Sequence, residues 1–185
     1  MVTADLEKLP GFFIDRDGVI NKSIVLNGKP TPPRNAHSFE LIDGVAEAID
    51  LIIINRIVPV VITNQPDVSR GTQSRSNIEG INNQIRTLTG LEYFYVCYHD
   101  EEAKCNCRKP KSGLITKAAE DLGIDIQSSY LIGDRWKDIG AGHNAGVKET
   151  FFIDYNYPEK RPTQPFTLVG SLLEASQIII NERGK

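Results

Sequence analysis

Phe12-Phe13-Ile14-Asp15-Arg16-Asp17-Gly18-Val19-Ile20 is the stretch on which the reading of this chain turns. An apolar run ends in two carboxylates set two positions apart, and a glycine follows. The run reads as a buried strand over 12–15. Charged side chains at the end of such a strand are costly unless they bind something. In an open α/β sheet the carboxyl end of a strand is where ligands sit. A divalent cation and an anionic substrate are the natural occupants. Asp15 then reads as a nucleophile, because carboxylates form covalent aspartyl-phosphates. Asp17 reads as the general acid/base. Strand alternation places both on one side, and Gly18 lets the backbone turn tightly. The plain alternative is a solvated turn. A calcium loop requires glycine at its sixth position and a distal glutamate at its twelfth. Here those positions hold Ile20 and Leu26, so that option fails.

The surrounding composition is that of a globular chain. The 185 residues suffice for one domain with a real core, read as spanning 1–185. Hydrophobic residues make up 40% and charged residues 24%, and the net charge of −3 comes without a long basic run. Nucleic acid and anionic membrane are therefore not expected as partners. Residues 1–10 carry Asp5, Glu7 and Lys8 and no apolar core, so they are not read as a signal peptide. No stretch approaches a membrane span. All three cysteines fall within 97–107, an odd number that argues for reduced thiols in the cytoplasm over a disulfide framework.

Apolar runs alternate with amphipathic stretches, the pattern of a mainly parallel sheet flanked by helices. Strands are expected at 12–15, 58–63, 93–97, 130–132 and 150–153. Helices are expected at 45–55 with Asp43 as N-cap, 74–88, 112–122 with Ser112 as cap, 138–145 and 171–181. Residues 24–39, with Pro30, Pro32 and Pro33, read as a long functional loop. Asp15, Thr63 and Asp134 each close a different strand, and parallel neighbours would bring them to one crevice.

Three further groups carry chemistry. Thr63 of Thr63-Asn64-Gln65 can donate to a phosphoryl oxygen, or serve only as a turn hydroxyl. Lys109 of Arg108-Lys109-Pro110-Lys111 can balance a carboxylate meeting a phosphate, or sit in a solvated basic turn. Asp134 and Asp138, at i and i+4, can hold Mg²⁺, cap a helix, or do both.

In this order and at these strand ends, the four groups resemble the four motifs of the haloacid dehalogenase superfamily of phosphatases, over about 12–154. The resemblance implies a three-layer, Rossmann-like fold and hydrolysis of a phosphomonoester. It implies Asp15 as nucleophile, Asp17 as acid/base, and Thr63 and Lys109 gripping the phosphoryl group. It also implies Mg²⁺ held by Asp15, the backbone carbonyl of Asp17, and Asp134, with Asp138 as a second acid of the fourth motif.

Cys97-x-His99-x5-Cys105-x-Cys107 supplies three thiolates and an imidazole, the donor set of a closed structural zinc site within a loop at about 97–111. Its expected role is to pin Lys109 at the phosphate. A zinc loop directly before Arg-Lys-Pro is similar to the branch holding heptose 1,7-bisphosphate and histidinol-phosphate phosphatases, which lack a large cap domain. Ser69-Arg70-Gly71 looks like the heptose enzymes, whereas the short His99–Cys105 spacing looks like the histidinol enzymes. The expected substrate is a small phosphorylated metabolite, a heptose bisphosphate in first place, acted on by a monomer. Asn64, Arg70, Arg108 and Arg135 are the candidate substrate contacts. His37, His143 and the tail from Tyr155 have no assigned role.

Overall fold

The computed structural model describes residues 8–26 and 29–184. The leader reading of residues 1–10 therefore falls, for 1–7, outside the described residues.

Alternation along the central strands builds the layers. In β1 (Leu9–Ile14), Phe12 and Ile14 belong to one apolar cluster and Phe13 to the other. In β4 (Val58–Asn64), Val61 joins the first cluster, and Val60 and Ile62 the second. In β6 (Ile124–Gly133), Tyr130 and Ile132 oppose Leu131 in the same way. A strand with apolar side chains on both faces must be covered on both faces. Ala48, Ile49 and Ile52 of α1 (Val45–Ile54) and Leu172, Ala175 and Ile179 of α5 (Leu172–Arg183) cover one side, together with α2 (Arg75–Thr89). Leu114, Ile115 and Ala118 of α3 (Gly113–Leu122) and Ile139 of α4 (Trp136–Ala145) cover the other.

With β5 (Tyr93–Cys97), β7 (Glu149–Phe152) and β8 (Thr167–Leu168), the sheet has six strands in the order β5–β4–β1–β6–β7–β8, all parallel. β1 lies between β4 and β6, so the strands ending near Asp15, Thr63 and Asp134 are neighbours, as the sequence predicts.

Several boundaries differ from expectation. The expected loop 24–39 contains an antiparallel pair, β2 (Ile24–Leu26) and β3 (Lys29–Thr31), and a 3-10 turn at Ala36–Ser38. Pro30 is compatible with this because the pair stands apart from the main sheet and has free edges. Helix α1 is not capped by Asp43: Gly44 takes the N-cap position with φ 79°, a left-handed conformation that glycine adopts readily. Ser112 occupies the N-cap of α3 without a capping hydrogen bond from its side chain. Helix α4 begins at Trp136, and Asp138 accepts from the Arg135 N–H to close its first turn.

β6 is longer than the expected 130–132, because its polar start pairs with the first residues of β1, Leu9 with Ile124. The register slips between Pro10 and Phe12. There the Gly11 N–H donates to Ser129 Oγ at 2.7 Å, and Ser129 donates on to Asp125 O. Replacing Ser129 by alanine strands a buried amide, and such a loss costs about 1–3 kcal/mol. Urea unfolding of Ser129→Ala should show that drop while turnover per folded molecule stays at the wild-type level; an unchanged midpoint would refute the staple.

Candidate active site

The strand ladder runs up to the first acid: the Asp15 N–H donates to Ile132 O at 3.0 Å. Beyond it the chain folds into a tight turn, with Arg16 O accepting from the N–H groups of Ile20 (2.9 Å) and Asn21 (3.1 Å). Gly18 is required here. Its φ is +93°, and a Cβ would stand 2.1 Å from Asp134 Oδ2.

Lys109 is the centre of the charge arrangement. Its Nζ lies 2.5 Å from Asp15 Oδ1 and 2.6 Å from Asp138 Oδ1, and donates to Ile62 O at 2.8 Å. Burial pulls its pKa down, but the charges of Asp138 and Asp15 outweigh that and hold it above the usual lysine range. Asn64 places it. The Asn64 carboxamide accepts from the Lys109 N–H and donates to Lys109 O, both at 3.1 Å.

Asp17 accepts from Arg16, from Asn21 Nδ2 at 3.0 Å and from Gln65 Nε2 at 2.7 Å. Gln65 Nε2 also donates to Thr63 Oγ1 at 2.8 Å, which leaves the threonine proton for another acceptor. Arg16 is fully buried, and α2 holds it through Asn82 Oδ1 at 3.1 Å.

Carboxylate oxygens of Asp15, Asp134 and Asp138 all lie within 4.8 Å of one another. Lys109 compensates two of them. Asp134 is 1% exposed, and its Oδ1 is buried with no hydrogen-bond partner among the described residues. Burial first, then the charges of Asp15 and Asp138, push Asp134 well above the usual carboxylate range. Oxygen donors with more negative charge than the protein neutralises, one of them orphaned, fit a hard divalent cation. The Asp17 carboxylate is not in this cluster.

Cys97, His99, Cys105 and Cys107 converge as a second cluster. The sulfur–sulfur distances are 3.3, 3.4 and 3.8 Å, and His99 Nδ1 lies 3.3 Å from Cys107 Sγ. Tetrahedral zinc–thiolate bonds of about 2.3 Å imply sulfurs about 3.8 Å apart, so the four donors fit zinc. Burial raises the Cys97 thiol to about 12, so loading the site must release protons.

A cleft of ≈ 100 Å³ opens over Asp15, Asp17, Thr63, Asn64, Lys109 and Asp138. Arg108, Arg135 and Lys137 rim it, with Ser23, Thr31 and three prolines. Arg108 is held by His99 O and Glu101, and Arg135 by Glu159. Burial and repulsion from Arg108 and Arg135 lower the Lys137 pKa. Arg70 does not line the cleft; it pairs with Asp67 (3.2 Å) and Glu101 (2.6 Å). Asn64 lines the cleft with its amide committed to Lys109. His37 and His143 lie outside the cleft lining.

Sequence reading missed Lys137, Gln65, Arg16 and Tyr157 as site residues. Lys137, three positions after Asp134, Arg16, between the two acids, and Gln65, two positions after Thr63, had a signal in their placement within the motifs. Tyr157 is brought in by a tertiary contact alone.

Burial and the Asp138 charge, against the pull of Lys109, raise Asp15 from 3.8 to about 7 without a cation. Between those values the unfolded chain has lost this proton and the folded protein still holds it, so Asp15 lowers stability as pH rises. The stability of Asp15→Asn relative to wild type, measured by urea unfolding without magnesium, should climb from about pH 4 to about pH 7 and then level off. A flat difference would contradict the assignment.

A HAD-hydrolase-like family model matches residues 106–152. The D-glycero-alpha-D-manno-heptose-1,7-bisphosphate 7-phosphatase of Photorhabdus laumondii is 30% identical over 184 residues, covering 93% of this chain and 97% of the relative. The beta-anomer 7-phosphatase of Vibrio cholerae is 33% identical over 161 residues, covering 80% and 83%. The crystal structure of D,D-heptose 1,7-bisphosphate phosphatase from B. bronchiseptica, complexed with magnesium and phosphate, superposes with TM-score 0.81 at 20% identity, covering 94% of this chain and 99% of that one. With the acids, threonine and lysine gathered at three adjacent strand ends and relatives of this identity spanning most of its length, the chain belongs to the haloacid dehalogenase-like hydrolases, in the heptose-1,7-bisphosphate 7-phosphatase family.

Proposed function

We propose that this protein is a Mg²⁺-dependent phosphomonoesterase that removes the 7-phosphate of D-glycero-D-manno-heptose 1,7-bisphosphate. The observation that carries the reading is Lys109, buried between Asp15 and Asp138 at the floor of a cation-rimmed cleft. An aspartate can attack a phosphate only if the repulsion between two anions is offset, and the ammonium is fixed where it does so.

Asp15 attacks phosphorus in line, forming a new O–P bond as the bond to the sugar oxygen breaks. Asp17 delivers a proton to that leaving oxygen. It then takes one from water, whose oxygen displaces Asp15 and releases inorganic phosphate. Thr63 donates its free hydroxyl proton to an equatorial oxygen, and Lys109 neutralises another. Gln65 sets the spacing of these groups by bonding Asp17 and Thr63 at once. Asp15, the Asp17 carbonyl and Asp134 would hold Mg²⁺, which supplies further charge neutralisation when bound. Cys97, His99, Cys105 and Cys107 would hold Zn²⁺ as a closed structural site, with no open position for catalysis. Arg108, Arg135 and Lys137 face the distal phosphate of a bisphosphate, and Arg70 supports Arg108 by sharing Glu101. On this reading residues 1–185 form one phosphatase domain, with the metal loop at about 97–111.

The direct test is a side-by-side kcat/KM for both anomers of heptose 1,7-bisphosphate, for histidinol phosphate and for an aryl phosphate, with and without Mg²⁺. The bisphosphate should lead, every activity should need Mg²⁺, and Asp15→Asn should have none. A lead for histidinol phosphate would move the substrate, and turnover by Asp15→Asn would remove the nucleophile. Cys105→Ser should lower both melting temperature and kcat/KM, the latter about tenfold or more, as the seat of Arg108-Lys109 loosens. Wild-type values for both would exclude the structural role of the loop.

A further inference from the structure

The segment after β7 carries no motif, yet it reaches back into the metal centre three times. Tyr155 Oη donates to Gly18 O at 3.0 Å, Tyr157 Oη donates to Asp134 Oδ2 at 3.1 Å, and Glu159 pairs with Arg135. The two tyrosine rings pack with centroids 5.6 Å apart and planes tilted by 36°. The middle contact matters most because of what it does to Asp134. The Oδ2 side is closed twice, by the tyrosine hydroxyl and by the backbone at Gly18, where no Cβ fits. Oδ1 stays bare in a dry, anionic environment that Lys109 does not neutralise. A carboxylate with one oxygen tied and the other unpaired has a single direction left in which to bind a cation.

We propose that Tyr157 is a positioning residue for the catalytic cation: its hydroxyl fixes Asp134 Oδ2 and thereby presents Oδ1 to the metal. The proposal rests on reading Asp134 as a ligand of that cation. It goes beyond the reading by assigning a function to a segment outside the four motifs. Outer partners that orient ligating groups typically contribute about 10–100-fold to metal affinity.

The test is calorimetric titration of Mg²⁺, without substrate, into wild type, Tyr157→Phe and Tyr155→Phe. Tyr157→Phe should bind Mg²⁺ about tenfold or more weakly. Its melting temperature in magnesium-free buffer should fall by no more than a few degrees, as expected for one lost hydrogen bond. Tyr155→Phe, which loosens the same segment at its other anchor, should weaken binding less. Equal affinities for wild type and Tyr157→Phe would overturn the proposal. So would equal losses in both variants, which would assign the effect to anchoring of the segment. A wild-type protein that binds no Mg²⁺ would instead overturn the underlying cation site and the proposal with it.

Discussion

Burial of the Lys109 ammonium between Asp15 and Asp138 is the constraint around which the molecule is organised. Three carboxylates within 4.8 Å of one another would repel if all were charged and dry. One lysine with three partners makes the cluster tolerable, and removing one member of such a buried pair costs about 3–5 kcal/mol. The lysine cannot be placed by its own backbone, since it lies in the connection between β5 and α3. The fold places it from several sides. Asn64 brackets its peptide group, Asn144 of α4 donates to Pro110 O at 2.8 Å, and the thiolate cluster gathers the chain just before it. A strand end, a helix and the cysteine-rich loop thus converge on one ammonium.

Charge at the rim is handled differently from charge at the floor. Arg108 and Arg135 each rest on a glutamate, Glu101 of the same loop and Glu159 of the segment after β7. These pairs are partly exposed and hold the guanidinium groups in place more than they stabilise the fold. An anion at the rim would therefore meet oriented cations. The floor pair is dry and includes Asp15. Asp17 has its own buried arginine, Arg16, which α2 fixes through Asn82. The four carboxylates of the site are thus divided among three partners: Lys109 for Asp15 and Asp138, Arg16 for Asp17, and Tyr157 for Asp134.

Legibility in the sequence followed how local the cause was. Asp15, Thr63 and Asp134 could be placed together because each ends an apolar strand, and the order of parallel strands leaves few other arrangements. The thiolate loop was legible because its four donors sit within a few residues of one another. Arg70 was not. Its position after Thr-Asn-Gln suggested a substrate contact, but its long side chain finds Asp67 and Glu101 instead. Asn64 read as a substrate contact and is committed to the Lys109 backbone, a partner 45 residues away. The cap of α1 was misread because an acidic residue before a helix is a common signal, whereas the backbone turns at Gly44. Tyr157 had no signal of its own, and Arg16 and Gln65, though set beside Asp17 and Thr63 in the chain, are tied into the site by distant partners, Asn82 and Asp17.

The sequence by itself determined the α/β class, the strand-end acids and the two donor sets. Alternation of apolar residues, the cost of charge at a buried strand end and the affinity of thiolates for soft metals all act over a few residues. Only the tertiary structure decided which cation meets which carboxylate, which oxygen of Asp134 stays bare and which arginines face the cleft. Those outcomes depend on long side chains choosing among partners brought near by packing, and packing joins residues that the chain keeps far apart.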